Sequence, residues 1–426
     1  MAARLSSSRL RASASSSESP GDRTVRVPRP RVRERPLRAL VRKHHHRPGG
    51  QIVRILLSGG GTAGHIYPAL TVAGLLVESG HDDVLFVGTP DSLEARLVPE
   101  AGIAFHAVSS RGFDRGNPLT LITSGFRVLS SVASAWRLLR SYGPDVVVGF
   151  GGYVSLPIGI AAVLTKTPLV LHEQNSVPGL ANKILSRWAT AVGVTYENSV
   201  KHLKRAERAV VTGNPVRREI LVADRSSGRE ALDLDPDATV VLVFGGSRGA
   251  RHLNETLVRM WPRLSAEPGL QVLHVTGTID AAAVAEAMSG ALQSPSRDYR
   301  MHEYISAMGE AIAASDIVVA RAGATSIAEI TAIGRAAVLV PYPYATDDHQ
   351  TLNARAVSAG GAAIVVPDDQ LDGEALEDAV RGLVRNRAKR ETMAAASAAL
   401  GRRDAAARVV ELIRSATALK GSKEHS

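Results

Sequence analysis

From Ile52 onward, short apolar runs alternate with longer stretches of helical spacing. The runs include Ile52–Leu57, Val84–Val87, Asp145–Val148, Leu169–His172 and Ala209–Thr212. After a break they resume at Val240–Phe244, Val272–Val275, Ile317–Ala320, Ala337–Val340 and Ala363–Val366. Several are apolar almost throughout, the pattern of strands covered on both faces of a parallel sheet. Strands alternating with helices imply right-handed βαβ units. Strand, glycine-rich turn and helix start follow one another at Ile52–His65 and again at Val240–Asn254. The pattern therefore predicts two Rossmann-like domains joined near Gly213–Arg218. Ligands of such sheets sit at the carboxyl ends of strands, so a cleft between the domains is the expected site.

Composition agrees and narrows the chemistry. A chain of 426 residues, 45% of them hydrophobic, suits two cores. It has no cysteine, which excludes disulfides, thiolate metal sites and a cysteine nucleophile. The net charge of +10 invites a nucleic-acid reading, but it is local. Residues 1–50 hold 13 Lys+Arg against 3 Asp+Glu, which leaves 38 of each in the remainder. The folded part is formally neutral, so no nucleic-acid partner is expected. The segment 1–50 is rich in Ser, Arg and Pro and is read as a disordered basic tail without a secretory signal. A transit-peptide-like leader and an early start are the alternatives. His44, His45 and His46 have no companion cluster and are read as incidental rather than metal-binding. No apolar run reaches the roughly 18–20 residues that span a bilayer, so membrane contact should be peripheral.

Four glycine- or small-residue-rich segments follow strands. Gly59-Gly60-Gly61-Thr62-Ala63-Gly64-His65 satisfies GxGxxG. The acidic residue that a dinucleotide ribose needs is missing, because the second strand ends in Val87-Gly88-Thr89. What remains is general: glycines admit a phosphate, and a helix N-terminus offers free N–H groups. His65 there serves either as a base or in packing. Gly149-Phe150-Gly151-Gly152-Tyr153 is a second loop able to admit anionic oxygens, or a tight turn. Gly245-Gly246-Ser247-Arg248-Gly249-Ala250 is its counterpart in the second domain. In Arg321–Glu329 small residues again precede a helix. Glu329 there either complements the helix dipole or accepts two ribose hydroxyls. Pro341–Asn353 brings Asp347, Asp348, His349, Gln350 and Asn353 to a strand end, as a polar loop or a sugar-reading one. The adjacent acids Asp347-Asp348 and Asp368-Asp369 are read as solvated, and no catalytic metal is expected.

GGGTAGH, GFGGY, HEQN (His172 to Asn175), TGNPVR (Thr212 to Arg217), GGSRGA and the run Arg321–Asn353 stand in the order found in the MurG family of N-acetylglucosaminyltransferases. The chain resembles that family from about Ile52 to Arg414. The resemblance implies the GT-B architecture, two Rossmann-like domains with parallel sheets facing across a cleft. It implies an N-terminal acceptor and membrane-associating domain over 51–214, a UDP-sugar domain over 215–395, and a C-terminal helix and tail over 396–426. The implied reaction moves GlcNAc from UDP-GlcNAc to the 4-hydroxyl of MurNAc in lipid I, with inversion, giving lipid II. Another lipid acceptor such as diacylglycerol is the alternative. Ser247 would meet the donor diphosphate, Ile305 the uracil, and Ala324, Thr325, Ser326, Ile327, Ala328 and Glu329 the diphosphate and ribose. Gln350 would read sugar hydroxyls. Thr62, Ala63, Gly64, Asn175 and Arg217 would complete the donor site, and Gly151, Gly152 and Tyr153 would face the acceptor diphosphate. The implied partners are the inner leaflet of the cytoplasmic membrane and cell-wall synthesis complexes.

Two further expectations follow. The acceptor hydroxyl needs a base near neutral pH, and His65 is its candidate, with His172 second. Along Leu119–Arg140, residues Ile122, Phe126, Leu129, Val132, Trp136 and Leu139 recur at helical spacing beside Arg127, Arg137 and Arg140. This is either a membrane face, with Phe126 and Leu129 exposed, or a core face, which suits Trp136 best.

Overall fold

The computed structural model describes residues 52–80, 82–108, 120–246, 250–291 and 298–424, without the side chains of 120–128, 291 and 419–424. The basic tail and Ser247 lie outside the described residues. Among those described, two all-parallel sheets form. The first contains β1 (Val53–Ser58), β2 (Asp82–Gly88), β3 (Ala104–Ala107), β4 (Val146–Gly149), β5 (Leu169–Glu173), β6 (Ala191–Val194) and β7 (Ala209–Val211). Its order is β3-β2-β1-β4-β5-β6-β7. The second contains β8 (Thr239–Phe244), β9 (Leu270–Val275), β10 (Tyr299–His302), β11 (Ile317–Arg321), β12 (Ala336–Val340) and β13 (Ala363–Val365), ordered β10-β9-β8-β11-β12-β13. The two Rossmann-like units are thus as the strand pattern predicts.

Each sheet is buried on both faces, which explains the unbroken apolar runs. Leu56, Val147 and Leu171 face Leu138 and Ile158, while Ile55, Leu57 and Val148 face Val72 and Leu76. In the second sheet Val241 and Val243 pack on Leu253 and Trp261, and Leu242 and Phe244 on Ile312 and Ile330. Three strands are absent from the sequence reading. β3 (AFHA) and β10 (YRMH) are short edge strands with polar residues, and β6 (AVGV) contains a glycine. Gly193 keeps β6 close to its neighbours, since a Cβ there would stand 3.1 Å from Thr212 Oγ1 and 3.2 Å from His172 Cδ2.

The C-terminal boundary needs correction. A break at 395 would cut the helix Arg387–Leu400, which packs on the second domain against β12 and the helix Ala324–Ile333. The last helix, Ala405–Glu424, then returns to the first domain. Val409, Ile413 and Ala416 are buried there among Ile55, Val72 and Phe86. Burial is worth roughly 1.5–3 kcal/mol for a side chain such as Val or Ile, enough to fix this return.

Strand order reverses between β1 and β4 in one sheet and between β8 and β11 in the other. Such switch points open a crevice at the strand carboxyl ends. The glycine-rich segments stand there: GGGTAGH after β1, GFGGY after β4, Gly245-Gly246 after β8 and RAGATS after β11.

Candidate active site

The loops of the first domain hold one another. A Cβ on Gly152 would lie 2.2 Å from the Gly60 carbonyl oxygen, so the GFGGY loop fits against the GGG turn only as glycine. Gly151 and Gly152 also adopt φ of +94° and +84°, which glycine alone takes at little cost. A Cβ on Gly151 would stand 3.2 Å from His65 Nε2, which places that nitrogen against the GFGGY loop. Gln174 donates to the Phe150 carbonyl at 3.0 Å and ties in the loop after β5. Glu173, buried, accepts from the Asn175 and Gly179 N–H groups, both at 3.0 Å, and from Asn182 Nδ2 at 2.8 Å.

The two candidate bases differ in what their lone pairs do. His65 Nδ1 lies 3.1 Å from the Gly60 carbonyl oxygen, which can only accept. Nδ1 therefore carries the proton and Nε2 keeps its lone pair. Thr62 Oγ1 is a further neighbour of Nδ1 at 3.1 Å. Burial holds the His65 pKa below the ordinary value and His349 adds to the lowering, against the pull of Glu173, the Gly60 carbonyl and Glu94. His172 is sealed on both sides. Its Nε2 donates to the Gly213 carbonyl at 2.9 Å, and Nδ1 accepts from Gln174 Nε2 at 3.1 Å. Burial pushes it down to about 4. With no lone pair to spare, His172 is a strut between β5 and the domain linker.

Across the cleft the second domain presents a helix end. Helix Ala63–Glu78 begins after Thr62, and helix Ala324–Ile333 after Gly323; neither start has a side-chain cap. They face each other, because a Cβ on Gly64 would lie 3.9 Å from Thr325 Oγ1. That hydroxyl is buried and has no hydrogen-bond partner. Two positive helix ends with uncapped first turns and an orphan hydroxyl thus meet at one place, the setting that favours anionic oxygens. Beside it, Arg217 Nη2 donates to Glu329 Oε1 at 2.9 Å, and the guanidinium stacks over the Tyr67 ring at 4.4 Å. Burial raises the Glu329 pKa against the opposing charge of Arg217. Asn353 clasps the domains: it accepts from the Ser176 N–H at 2.8 Å and donates to Asn175 Oδ1 at 3.2 Å and to the Ala322 carbonyl at 3.3 Å.

Residues 55–194 match the glycosyltransferase family 28 N-terminal domain and residues 240–409 the family 28 C-terminal domain. The UDP-N-acetylglucosamine–N-acetylmuramyl-(pentapeptide) pyrophosphoryl-undecaprenol N-acetylglucosamine transferase of Desulfitobacterium hafniense (strain Y51) is 41% identical over 362 residues, covering 84% of this chain and 98% of the relative. The chain belongs to glycosyltransferase family 28. The enzyme of the same name from Lactiplantibacillus plantarum is 40% identical over 364 residues, covering 85% of this chain and 99% of the relative. The crystal structure of Acinetobacter baumannii MurG matches this family 28 fold with a TM-score of 0.70 at 30% identity, over 85% of this chain and 99% of that one. A UDP-N-acetylglucosamine 2-epimerase structure from Listeria monocytogenes, at 17% identity and a TM-score of 0.61 over 88% of this chain and 98% of that one, shares the fold alone.

Within this family 28 cleft, Thr62, Ala63, Gly64 and His65 come together with Gly151, Gly152 and the exposed Tyr153. Asn175 meets the second domain at Asn353. Ala324, Thr325, Ser326, Ile327, Ala328 and Glu329 form the opposing helix start, with Arg217 on Glu329. Ile305 is 8% exposed and sits in the apolar cluster that contains Phe244 and Ala322. Gln350 accepts from the Tyr342 N–H at 2.9 Å, which holds the loop. The acidic pairs are not simply solvated: Asp368 is bound by Arg321 and by His252 Nδ1 at 2.9 Å, and Asp347 pairs with Lys183 at 3.0 Å. Among the described residues no group of three or more His, Asp or Glu side chains converges as a metal ion would need. The sequence reading missed Glu94 and Tyr67. Glu94 follows Ser92, whose hydroxyl caps the helix Leu93–Glu100, so it reads as an ordinary first-turn acid. Tyr67 reads as part of a buried helix face.

Proposed function

We propose that the chain transfers N-acetylglucosamine from UDP-GlcNAc to the 4-hydroxyl of MurNAc in lipid I, with inversion at the anomeric carbon, giving lipid II for peptidoglycan synthesis. The observation that carries this is the meeting of two uncapped helix N-termini beside His65, whose Nδ1 lies against the Gly60 carbonyl, in a chain 41% identical to an enzyme of that name. The 4-hydroxyl oxygen attacks the anomeric carbon, the bond from that carbon to the diphosphate breaks, and UDP leaves. The hydroxyl proton passes to His65 Nε2. The N-terminal position of His65 on its helix disfavours the imidazolium before reaction, which keeps the base available. Negative charge on the departing diphosphate is met by the uncapped N–H groups of Ala63, Gly64, Ala324 and Thr325 and by the Thr325 hydroxyl. Fixed donors of this kind stabilise a leaving anion without a divalent cation. Glu329 accepts the ribose hydroxyls, Gln350 the sugar hydroxyls, and Gly151, Gly152 and Tyr153 adjoin the acceptor diphosphate.

No helix among the described residues is long and apolar enough to cross a membrane. The first domain docks instead through helix Thr120–Tyr142 on the inner leaflet. Leu129 is 66% exposed and Trp136 38%, with Arg137 and Arg140 beside them. Trp136 is thus not the core residue expected, whereas Leu139 is buried. The side chains of Ile122, Phe126 and Arg127 lie outside those described. The deciding experiment measures UDP release from UDP-GlcNAc with lipid I, with diacylglycerol and with no acceptor. Release that depends on lipid I is expected; release that depends on diacylglycerol overturns the acceptor assignment.

A further inference from the structure

Glu94 is fully buried, yet no Lys or Arg among the described residues pairs with it. A carboxylate in that setting is costly unless donors surround it. Its Oε1 accepts from the Thr89 N–H at 3.1 Å and from the Thr89 hydroxyl at 2.7 Å. Its Oε2 accepts from the Gly61 N–H at 3.4 Å. That N–H belongs to the same peptide group as the Gly60 carbonyl, which accepts from His65 Nδ1 at 3.1 Å. The chain of contacts therefore runs carboxylate, peptide N–H, peptide C=O, imidazole Nδ1–H. Hydrogen bonds joined in this way polarise one another: a carboxylate drawing on the N–H makes the carbonyl a stronger acceptor. Two glycines allow the approach. A Cβ on Gly60 would lie 2.5 Å from Glu94 Oε1, and one on Gly88 2.5 Å from Glu94 Cγ.

We propose that Glu94 is a positioning residue for the glycosyl transfer, acting through the Gly60–Gly61 peptide to fix the ring orientation and Nδ1–H tautomer of His65. It does for His65 what a directly bonded carboxylate does for the histidine of a hydrolase triad, with one peptide group interposed. The inference rests on His65 being the base. Its consequence for pH is signed. The charged and titratable groups around His65 are Glu94 and Glu173 on the first domain and His349 on the second. Glu94 favours the imidazolium, so its neutralisation lowers the pKa of the base.

The test compares Glu94→Gln, Glu94→Asp and His65→Ala in the full chain, using UDP-GlcNAc and lipid I. In Glu94→Gln an amide NH2 meets either the Gly61 N–H or the donors of Thr89, so one link breaks. We expect kcat to fall roughly tenfold, the loss of one charge-assisted hydrogen bond. The acidic limb of the kcat profile should move to lower pH, with the UDP-GlcNAc KM within about twofold of the parent. Glu94→Asp keeps the charge and should leave the limb in place even where kcat falls; a merely structural Glu94 would lower the melting temperature in both variants and move the limb in neither. In the His65→Ala background, Glu94→Gln should cost nothing further. If His65→Ala retains kcat and the acidic limb, the base assignment itself fails. If His65→Ala abolishes the limb while Glu94→Gln leaves limb and kcat unchanged, the base stands and the role of Glu94 is overturned. Should Glu94→Gln fail to fold, ¹⁵N spectra of labelled histidine in the parent decide: a proton on Nδ1 of His65 supports the proposal, and one on Nε2 overturns it.

Discussion

The two faces of the cleft are built differently. On the first domain, the loops after β1, β2, β4 and β5 are mutually bound: Glu94 holds the GGG turn, Gly152 seats on Gly60, Gln174 holds Phe150 and Glu173 holds the HEQN loop. On the second domain, the Thr325 hydroxyl is orphaned, Asp347 and Asp348 stand in the left-handed region at φ of 53° and 50°, and Gln350 is bound by one backbone N–H. The contrast teaches a division of labour. If His65 is the base as proposed, the face that moves a proton is organised in advance, as it must be when a base misplaced by an ångström loses much of its rate. The face proposed to grip the nucleotide leaves the Thr325 hydroxyl for a ligand to complete, as the uncapped helix start at Ala63 does on the first domain.

The sharpest attempt to break this contrast is His65→Ala. Removing a general base costs ~10²–10⁴-fold in kcat, and donor KM should stay within a few-fold if the donor lies chiefly on the other face as proposed. The acidic limb of the pH–rate profile should vanish. A variant that keeps most of its kcat would show that the organised face is not the chemical one.

Glu329→Ala probes the opposite face. Loss of a charge-assisted hydrogen bond, about 1.5–3 kcal/mol, should raise the UDP-GlcNAc KM by roughly tenfold or more. The variant also strips Arg217 of its buried partner, so its melting temperature should fall. Glu329→Gln, which leaves Arg217 an acceptor, separates the two effects. A normal donor KM in both would leave the carboxylate with no task beyond Arg217 and the helix dipole.

Leu129→Ser with Trp136→Ser tests the outer surface of the organised domain. Sedimentation with anionic liposomes should drop roughly fivefold, as expected when exposed apolar anchors are lost. Turnover of a water-soluble acceptor analogue should be unchanged. Lowered melting with unchanged liposome binding would make the helix part of the core.

The smallest effect is a pH-dependent one on the second domain. Hydrogen bonds to Asp368 and, after the opposing cost of burial, to Asp372 raise the His252 pKa. A folded pKa above the unfolded value of about 6.5 gives stability that is complete below that value and lost as pH rises through the folded one. His252→Asn should therefore melt below the parent at pH 5.5 by less than about 1 kcal/mol and match it at pH 8.5, because the pair is partly exposed. An equal deficit at both values would assign the loss to packing.

Much of the molecule was written in its local pattern. Doubly buried strands demand unbroken apolar runs, and a phosphate turn demands glycine before a helix start, so ten of the thirteen described strands and the cleft loops after β1, β4 and β11 could be read from the chain, while the short polar edge strands and the glycine-bearing β6 could not. His65, Glu329 and the Ala324–Thr325 start were legible because each stands at a fixed offset from a strand end. What the sequence could not decide is where long-range partners meet. Whether His172 or His65 keeps a free lone pair depends on Gly213, 41 residues away from His172, and on a carbonyl turned toward His65 by the GGG loop. Glu94 is an ordinary first-turn acid until the fold turns its carboxylate to Gly61, and Asn353 a polar loop residue until the domains close on Asn175. The return of the last helix to the first domain rests on Val409 and Ile413, whose spacing shows an apolar face but not which core it covers. Periodicity and turn chemistry act between near neighbours and are fixed by residue type; hydrogen-bond partnership across domains is fixed by geometry that exists only once the sheets are assembled.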